Sequence, residues 1–364
     1  MKKLLLILLC LPMIGFGQGW EKTFGGYVGN SVQQTTDGGY IIGGYEEDVY
    51  LLKTDGSGNE LWSKTYGTGS GSSYGESVQQ TIDGGYIIVG TIYSNQSAED
   101  DIYLIKTDGN GNQLWYKLFG GPNNLDLGYS VQQTTDGGYI IAGSFEATVY
   151  LIKTDDSGNE LWAKTYVAGS GGSYGYSVQQ TSDGGYIIVA EIWDNSQDVY
   201  LIKTDGNGNE LWTKTFGGLN YDEYGYSVQQ TSDGGYVIAG SKEENSFSEI
   251  YDVHLIKTDG NGNELWTKTF GVPNYNEYGR SVQQTSDGGY VIAGASGLNG
   301  YYEVYLIKTD GNGNVTSTFN IPVNLNRKLQ KTVDILGKQT KPQTNQPLFY
   351  IYDDGTVEKR IVIE

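Results

Sequence analysis

Short apolar runs separated by glycine-rich turns recur along most of this chain. Each recurrence holds four strand-length runs, with the texts SVQQT, GGYIIxG, VYLIKTD and ELWxKTF in that order. Residues 227–271 give one whole copy. The serines that open the copies are Ser31, Ser77, Ser130, Ser177, Ser227 and Ser281, spaced by 46, 53, 47, 50 and 54 residues. Repeats of this period belong to solenoids or propellers, where each unit buries its faces against its neighbours. The third run is apolar at consecutive positions, as in Val199-Tyr200-Leu201-Ile202. A strand with one buried face would alternate, so both faces of this strand are expected to be covered. The fourth run carries Trp212 and Phe216, four residues apart and hence on one face of a strand. Trp62, Trp115, Trp162 and Trp266 hold the same place in their copies. These indoles read as scaffold.

The turns agree with the runs. Between the first and second runs every copy has Asp-Gly-Gly, led by Asp37, Asp83, Asp136, Asp183, Asp233 and Asp287. Asp-Gly between apolar runs is a hairpin signal, because glycine takes the positive φ such turns need. Asp205-Gly-Asn-Gly-Asn209 between the third and fourth runs reads as a second hairpin. The unit is therefore a four-stranded antiparallel blade.

Counting strands predicts how the array ends. The sixth copy loses its Leu-Trp after Asn314, while Trp20-Glu-Lys-Thr-Phe-Gly-Gly26 is a fourth run with no blade before it. An open array would expose both orphans as sheet edges. A closed ring lets Trp20–Gly25 complete the last blade. The fold class expected is all-β: a six-bladed β-propeller closed by its N-terminal strand, over residues 18–320. An open solenoid, with Trp20 in solvent, is the alternative.

Composition adds limits. The chain has 364 residues, 55 Gly, 31 Tyr and a formal net charge of −20. Strands and tight turns suit that glycine and tyrosine content. The acidity speaks against nucleic acid and against anionic membranes as partners. The single cysteine, Cys10, lies in an apolar run after Lys2 and Lys3, and residues 1–17 read as a secretory leader. Packing rather than disulfides then holds the exported chain, expected as a monomer.

Candidate chemistry sits where the copies differ. Every copy enters its first strand through Gly-x-Ser, and the x residues are Asn30, Glu76, Tyr129, Tyr176, Tyr226 and Arg280. They are expected to circle the mouth of the central channel. Tyr74, Tyr174, Tyr224 and Tyr278 stand two residues before four of them, and Arg280 is the only arginine before residue 320. A tyrosine-rich mouth with one Glu and one Arg suits stacking on a sugar ring and bonding its hydroxyls; the competing reading is loop packing. The loops Thr91–Asp101, Ala190–Asp198 and Ser241–Asp252 share that variable face, where a rigid scaffold usually binds. The Asp-Gly-Asn-Gly-Asn loops alternate oxygen ligands as calcium loops do, but lack the closing bidentate Glu. No cofactor is expected. His254 replaces a strand tyrosine, and no nucleophile–base pair or zinc cluster is visible. The twelve strand-one glutamines are expected to bond backbone groups along the inner blade edge.

After about residue 320 the text changes. Val333-Asp-Ile-Leu-Gly-Lys338, then Pro347–Gly355, then Glu358–Glu364 read as strand, turn, strand, turn, strand. This stretch resembles the C-terminal (type A) sorting domain of the type IX secretion system of Bacteroidota, with its strand-Asp-x-x-Gly-Lys pattern, aromatic strand and basic-apolar end. The family's Pro-Asn-Pro is replaced by Ile321-Pro-Val-Asn324. The resemblance implies passage through the outer membrane by that machinery, using residues 321–364, to the cell surface or the medium. The repeats also resemble extracellular bacterial propeller repeats. The expected function is binding or adhesion toward an extracellular ligand, carbohydrate foremost. A carboxylate-based glycoside hydrolase or lyase and a structural, cation-binding surface protein are the alternatives.

Overall fold

The computed structural model describes residues 22–24, 28–67, 72–94, 99–121, 124–167, 171–194, 196–218, 221–244, 250–298, 301–317, 329–333, 338–341, 347–352 and 357–361. Six four-stranded sheets follow one another along the chain, each paired in simple sequence order and antiparallel throughout. Blade four is typical, with strands Ser173–Gln180, Tyr186–Trp193, Gln197–Thr204 and Glu210–Phe216. Together they form a six-bladed β-propeller. Contacts divide the chain after Ser317. The second unit contains a three-stranded antiparallel sheet of Leu329–Val333, Pro347–Tyr352 and Val357–Ile361. Its first strand ends where the sequence placed a strand start, at Val333, and residues 334–337 lie outside the described residues.

The constant residues each hold the blade together in a stated way. In the first turn Gly38 adopts φ +83°, and Asp37 accepts from the Gly39 amide at 3.0 Å and the Thr35 hydroxyl at 2.5 Å. The same carboxylate holds Lys53, whose ammonium is buried beneath strand three and also donates to the Thr54 carbonyl at 2.8 Å. Asp83–Lys106, Asp136–Lys153, Asp183–Lys203, Asp233–Lys257 and Asp287–Lys308 repeat the pair. A lysine within an apolar strand is thereby made affordable, since its charge has both a counter-ion and a carbonyl.

Strand three is covered on both faces, as its text predicts: Val199, Tyr200, Leu201 and Ile202 are all buried. The cores lie between blades. Ile140, Ala142 and Leu151 of blade three pack on Tyr186, Ile188 and Ile202 of blade four, and equivalent clusters fill the junctions from blades one–two to five–six. Burying each such aliphatic side chain contributes roughly 2 kcal/mol. Each strand-four indole closes its cluster by meeting the next blade's Tyr edge to face, as Trp162 meets Tyr186 at 6.0 Å. Tyr166, on the same face, donates to the Gly208 carbonyl at 2.7 Å.

The junction of blades six and one differs. Strand four of blade six is Val315–Ser317, three residues long and supplied by its own repeat. Closure by the N-terminal strand falls largely outside the described residues, which include only Lys22–Phe24 of that stretch. Lys22 donates to Asn59 Oδ1 at 3.4 Å. That is the contact strand-four Lys117 and Lys214 make with Asn159 and Asn263 of the following blades. Val304 and Leu306 of blade six are 86% and 52% exposed, and Val32 of blade one 66%; their counterparts Val253 and Leu255 in blade five are fully buried.

Candidate functional site

Strand one lines the axis, and its hydrogen bonds explain its text. The inner edge of this strand has no neighbour in its own blade. Ser130 Oγ accepts from the Val178 amide at 3.2 Å, and Gln132 Oε1 accepts from the Gln180 amide at 2.6 Å, both in the next blade. In return Gln180 Oε1 accepts from the Thr135 amide in the turn behind, at 2.9 Å. The same three bonds recur from Ser31, Gln33 and Gln80 at the first junction and from Ser227, Gln229 and Gln284 at the fifth. Ten of the twelve glutamines thus accept from backbone amides of a neighbouring blade, satisfying donors along a half-buried inner edge.

The x of each Gly-x-Ser sits in a β-bulge. Pairing with strand two skips it in every blade: the register shifts between Gly175 and Ser177, and likewise around Asn30, Glu76, Tyr129, Tyr226 and Arg280. A bulge takes one residue out of the ladder and re-aims its side chain. The preceding glycine is needed because a Cβ at Gly225 would stand 2.5 Å from Val189 of the neighbouring blade.

The six candidate residues meet their neighbours around the mouth in two groups. Asn30 Nδ2 donates to Glu76 Oε2 at 3.1 Å and to the Gly75 carbonyl at 3.0 Å. Tyr129 lies 5.1 Å from Tyr176, and Tyr176 lies 5.7 Å from Tyr226, ring centre to ring centre. Arg280 covers the Tyr226 ring at 4.2 Å and the Tyr278 ring at 5.3 Å. Tyr224 stacks on the side of Tyr226, 5.9 Å away and nearly parallel. The arc Tyr129–Tyr176–Tyr226–Arg280 is thus continuous.

Two acids set the electrostatics. Burial raises the Glu76 carboxyl to about 7. Glu191, on strand two of blade four, escaped the sequence reading. It is buried, hydrogen-bonded by Tyr176 and by Trp193 Nε1 at 3.3 Å, and its Oε2 has no partner. Burial raises its pKa too. Burial first, then the charges of Glu76, Tyr174 and Glu191, raise Tyr129; burial and then Glu191 raise Tyr176. A signal existed: the corresponding positions hold Tyr45, Thr91, Ser144, Ser241 and Ala295, so Glu191 is the one acid in the set.

Other candidates resolve differently. In the Asp-Gly-Asn-Gly-Asn loops the aspartate is spent on its own turn: Asp205 Oδ1 accepts from the Asn207 and Asn209 amides at 2.8 Å, and Oδ2 from Asn209 Nδ2 at 2.9 Å. Among the described residues no three acids, histidines or cysteines converge as metal ligands would. His254 is buried in strand three of blade five, 2.5 Å from Thr267 Oγ1 and 3.4 Å from Glu223. Burial and then the Lys242 charge lower its pKa to about 3, so it is neutral. The three long variable loops are shorter than the sequence implies, because strands run into them: strand two of blade two reaches Ser94 and strand three begins at Glu99. Residues 95–98, 195 and 245–249 of these loops lie outside the described residues. Asp48, Asp198 and Asp252 on this face lie over Gly67, Gly217 and Gly271, where any Cβ would overlap the carboxylate.

No protein-family model matches the chain, and no curated protein matches it in sequence. Solved structures match its fold. An ulvan lyase of polysaccharide lyase family PL25, bound to -[GlcA(1-4)Rha3S]-, superposes with a TM-score of 0.56 at 11% identity, over 93% of this chain and 96% of that one. A Bacteroides caccae protein of unknown function does so with a TM-score of 0.50 at 13% identity, over 76% and 91%. A streptogramin B lyase reaches 0.48 at 10% identity, over 92% and 90%. At these identities the likeness shows the fold alone.

Proposed function

We propose that this protein is a secreted or cell-surface binding module that holds carbohydrate at the mouth of its channel. One observation carries the reading: the unbroken arc of Tyr129, Tyr176, Tyr226 and Arg280 beside the hydrogen-bonded pair Asn30–Glu76. A sugar presents an apolar C–H face and a rim of hydroxyls. Tyrosine rings match the first, and Asn30, Glu76, Arg280 and the phenols match the second. Export rests on the leader-like residues 1–17 and on the resemblance of residues 321–364 to a type IX sorting domain. A glycan array probed with the mature chain tests the reading. Saturable binding to a defined glycan, reduced at least tenfold by Tyr176→Ala with the melting temperature held, is the expected result. No binding to any glycan would overturn it.

A second reading has its own support. The charges of Glu76, raised to about 7, and of buried Glu191 both act on Tyr129. A carboxyl that keeps its proton toward neutrality, with a second acid acting on the same tyrosine, is the kind of equipment glycoside-cleaving chemistry uses. Release of reducing ends or of unsaturated sugar from a bound glycan, abolished by Glu76→Gln, would replace binding by catalysis as the function.

A further inference from the structure

Further along strand one than the mouth residues, the axis holds an open cavity of about 250 Å³. Its lining repeats a Val and a Gln from successive blades: Val78 with Gln79, Val131 with Gln132, Val178 with Gln179, Val228 with Gln229. The lining includes no charged side chain. Gln33, Gln79, Gln132, Gln179 and Gln229 each have Oε1 occupied by a backbone amide of the next blade, at 2.5–2.6 Å. A carboxamide has one oxygen acceptor and one NH2 with two donors. With the oxygens spent, what these five side chains have left for the channel is N–H.

We infer that this ring is an oxyanion site, in which the glutamine NH2 groups donate to a sulfate or carboxylate, free or borne on a sugar. An arc of five equivalent donors, one from each of blades one to five, suits a small group with several equivalent oxygens. The six mouth residues do not line this cavity, so the site is distinct from the tyrosine arc. Strand one rises roughly 3.3 Å per residue, which sets the ring about 10 Å below Tyr176. A sugar at the mouth with an acidic substituent pointing inward would span that distance.

The test separates donor loss from scaffold loss. Gln132→Glu with Gln179→Glu keeps an oxygen for the Gln180 and Gln230 amides and removes the NH2 donors. Calorimetric titration of the full mature chain with sodium sulfate, and separately with sodium glucuronate, at constant ionic strength in chloride, reads the site. Saturable binding in the wild type and at least tenfold weaker binding in the double variant is expected. Sulfate binding that survives Tyr176→Ala assigns a free-ion site. Glucuronate binding lost both in Tyr176→Ala and in the glutamate variant assigns the sugar-borne group. Should the double variant fail to fold, glutamine side-chain NH2 resonances of the wild type give the same answer, by shifting or not on sulfate or glucuronate addition. No saturable binding of either ion, or affinity in the double variant within twofold of the wild type, overturns the inference. Loss of glycan binding with sulfate binding intact would count against the mouth alone.

Discussion

Glu76 should make this propeller less stable as the pH rises through neutrality, and Glu76→Gln should remove the effect. In the folded chain the carboxyl keeps its proton up to about 7, against an ordinary 4.5, because burial penalises the anion. Asn30 donates to it, but one neutral hydrogen bond does not offset that burial. Between pH 4.5 and 7 the unfolded chain has released the proton while the folded chain retains it. Stability from this group is therefore full below 4.5 and lost progressively up to 7. At roughly 1.4 kcal/mol per pH unit, the loss amounts to about 3 kcal/mol. A propeller of about 300 residues unfolds with an entropy of about 0.6 kcal/mol/K, so this corresponds to about 5 °C in Tm. The assay is a pair of thermal unfolding series, wild type and Glu76→Gln, from pH 5 to pH 8. The two should agree within a degree or two at pH 5, and the variant should melt about 5 °C higher at pH 8. Comparing them cancels the other raised acids, Glu191 and Asp252 among them. It also cancels the turn aspartates, which act in the opposite sense. Asp37 and Asp183, held near 2, contribute stability above pH 3.8 that disappears as the pH falls toward 2. A Tm difference between the two proteins that does not change from pH 5 to pH 8 would refute the half-buried, protonated carboxyl.

Three further outcomes are expected. Trp162→Ala, which strips the cover from Tyr186 and Gly208, should cost about 3 kcal/mol in urea unfolding; Gly208→Ala should also destabilise, because φ there is +73° and a Cβ would stand 2.6 Å from the indole. Gly217→Val should lower stability by about 2–3 kcal/mol through overlap with Asp198, and adding Asp198→Thr should recover at least half, since blade three carries Val167 and Thr148 at these places; independent effects in the double-mutant cycle would contradict that pairing. Trp20→Ala should destabilise by several kcal/mol if residues 20–25 close the ring, and an unchanged urea midpoint would exclude closure by that strand.

The scaffold was legible because its signals are local. Asp37-Gly38-Gly39 is a turn by its own chemistry, and Val199–Ile202 declares a doubly buried strand by its own text. Lys53 was harder, because the counter-ion that permits it stands sixteen residues earlier. The six mouth residues could be lined up by copy number, but not the reason they converge. That reason is a bulge, visible only as a break in pairing with strand two. Glu191 was missed because it lies on a different strand from the residues it governs, and only the blade geometry brings it to Tyr176. Closure was read from a count of strands. The structure gives blade six a short fourth strand of its own, Val315–Ser317, and leaves Val304 and Leu306 uncovered.

The same hydrogen bonds explain both what repeats and what varies. Ser, Val and the two Gln of strand one are each committed to a neighbouring blade, through a hydroxyl, an amide or a carboxamide oxygen. Changing the serine or the first glutamine leaves a part-buried amide of the next blade without its acceptor, at about 1 kcal/mol. The residue just before the serine is released from the ladder by its bulge, so its side chain carries no such obligation. Six positions around the mouth are thus free to differ, and they do: Asn, Glu, three Tyr and Arg. Freedom alone would allow any residues there. The ones present form two sets, one polar that includes the raised Glu76 and one aromatic ending in a cation, with the raised Glu191 bonded to Tyr176. This mutual arrangement, at positions the fold does not constrain, is why the proposed binding site is the mouth.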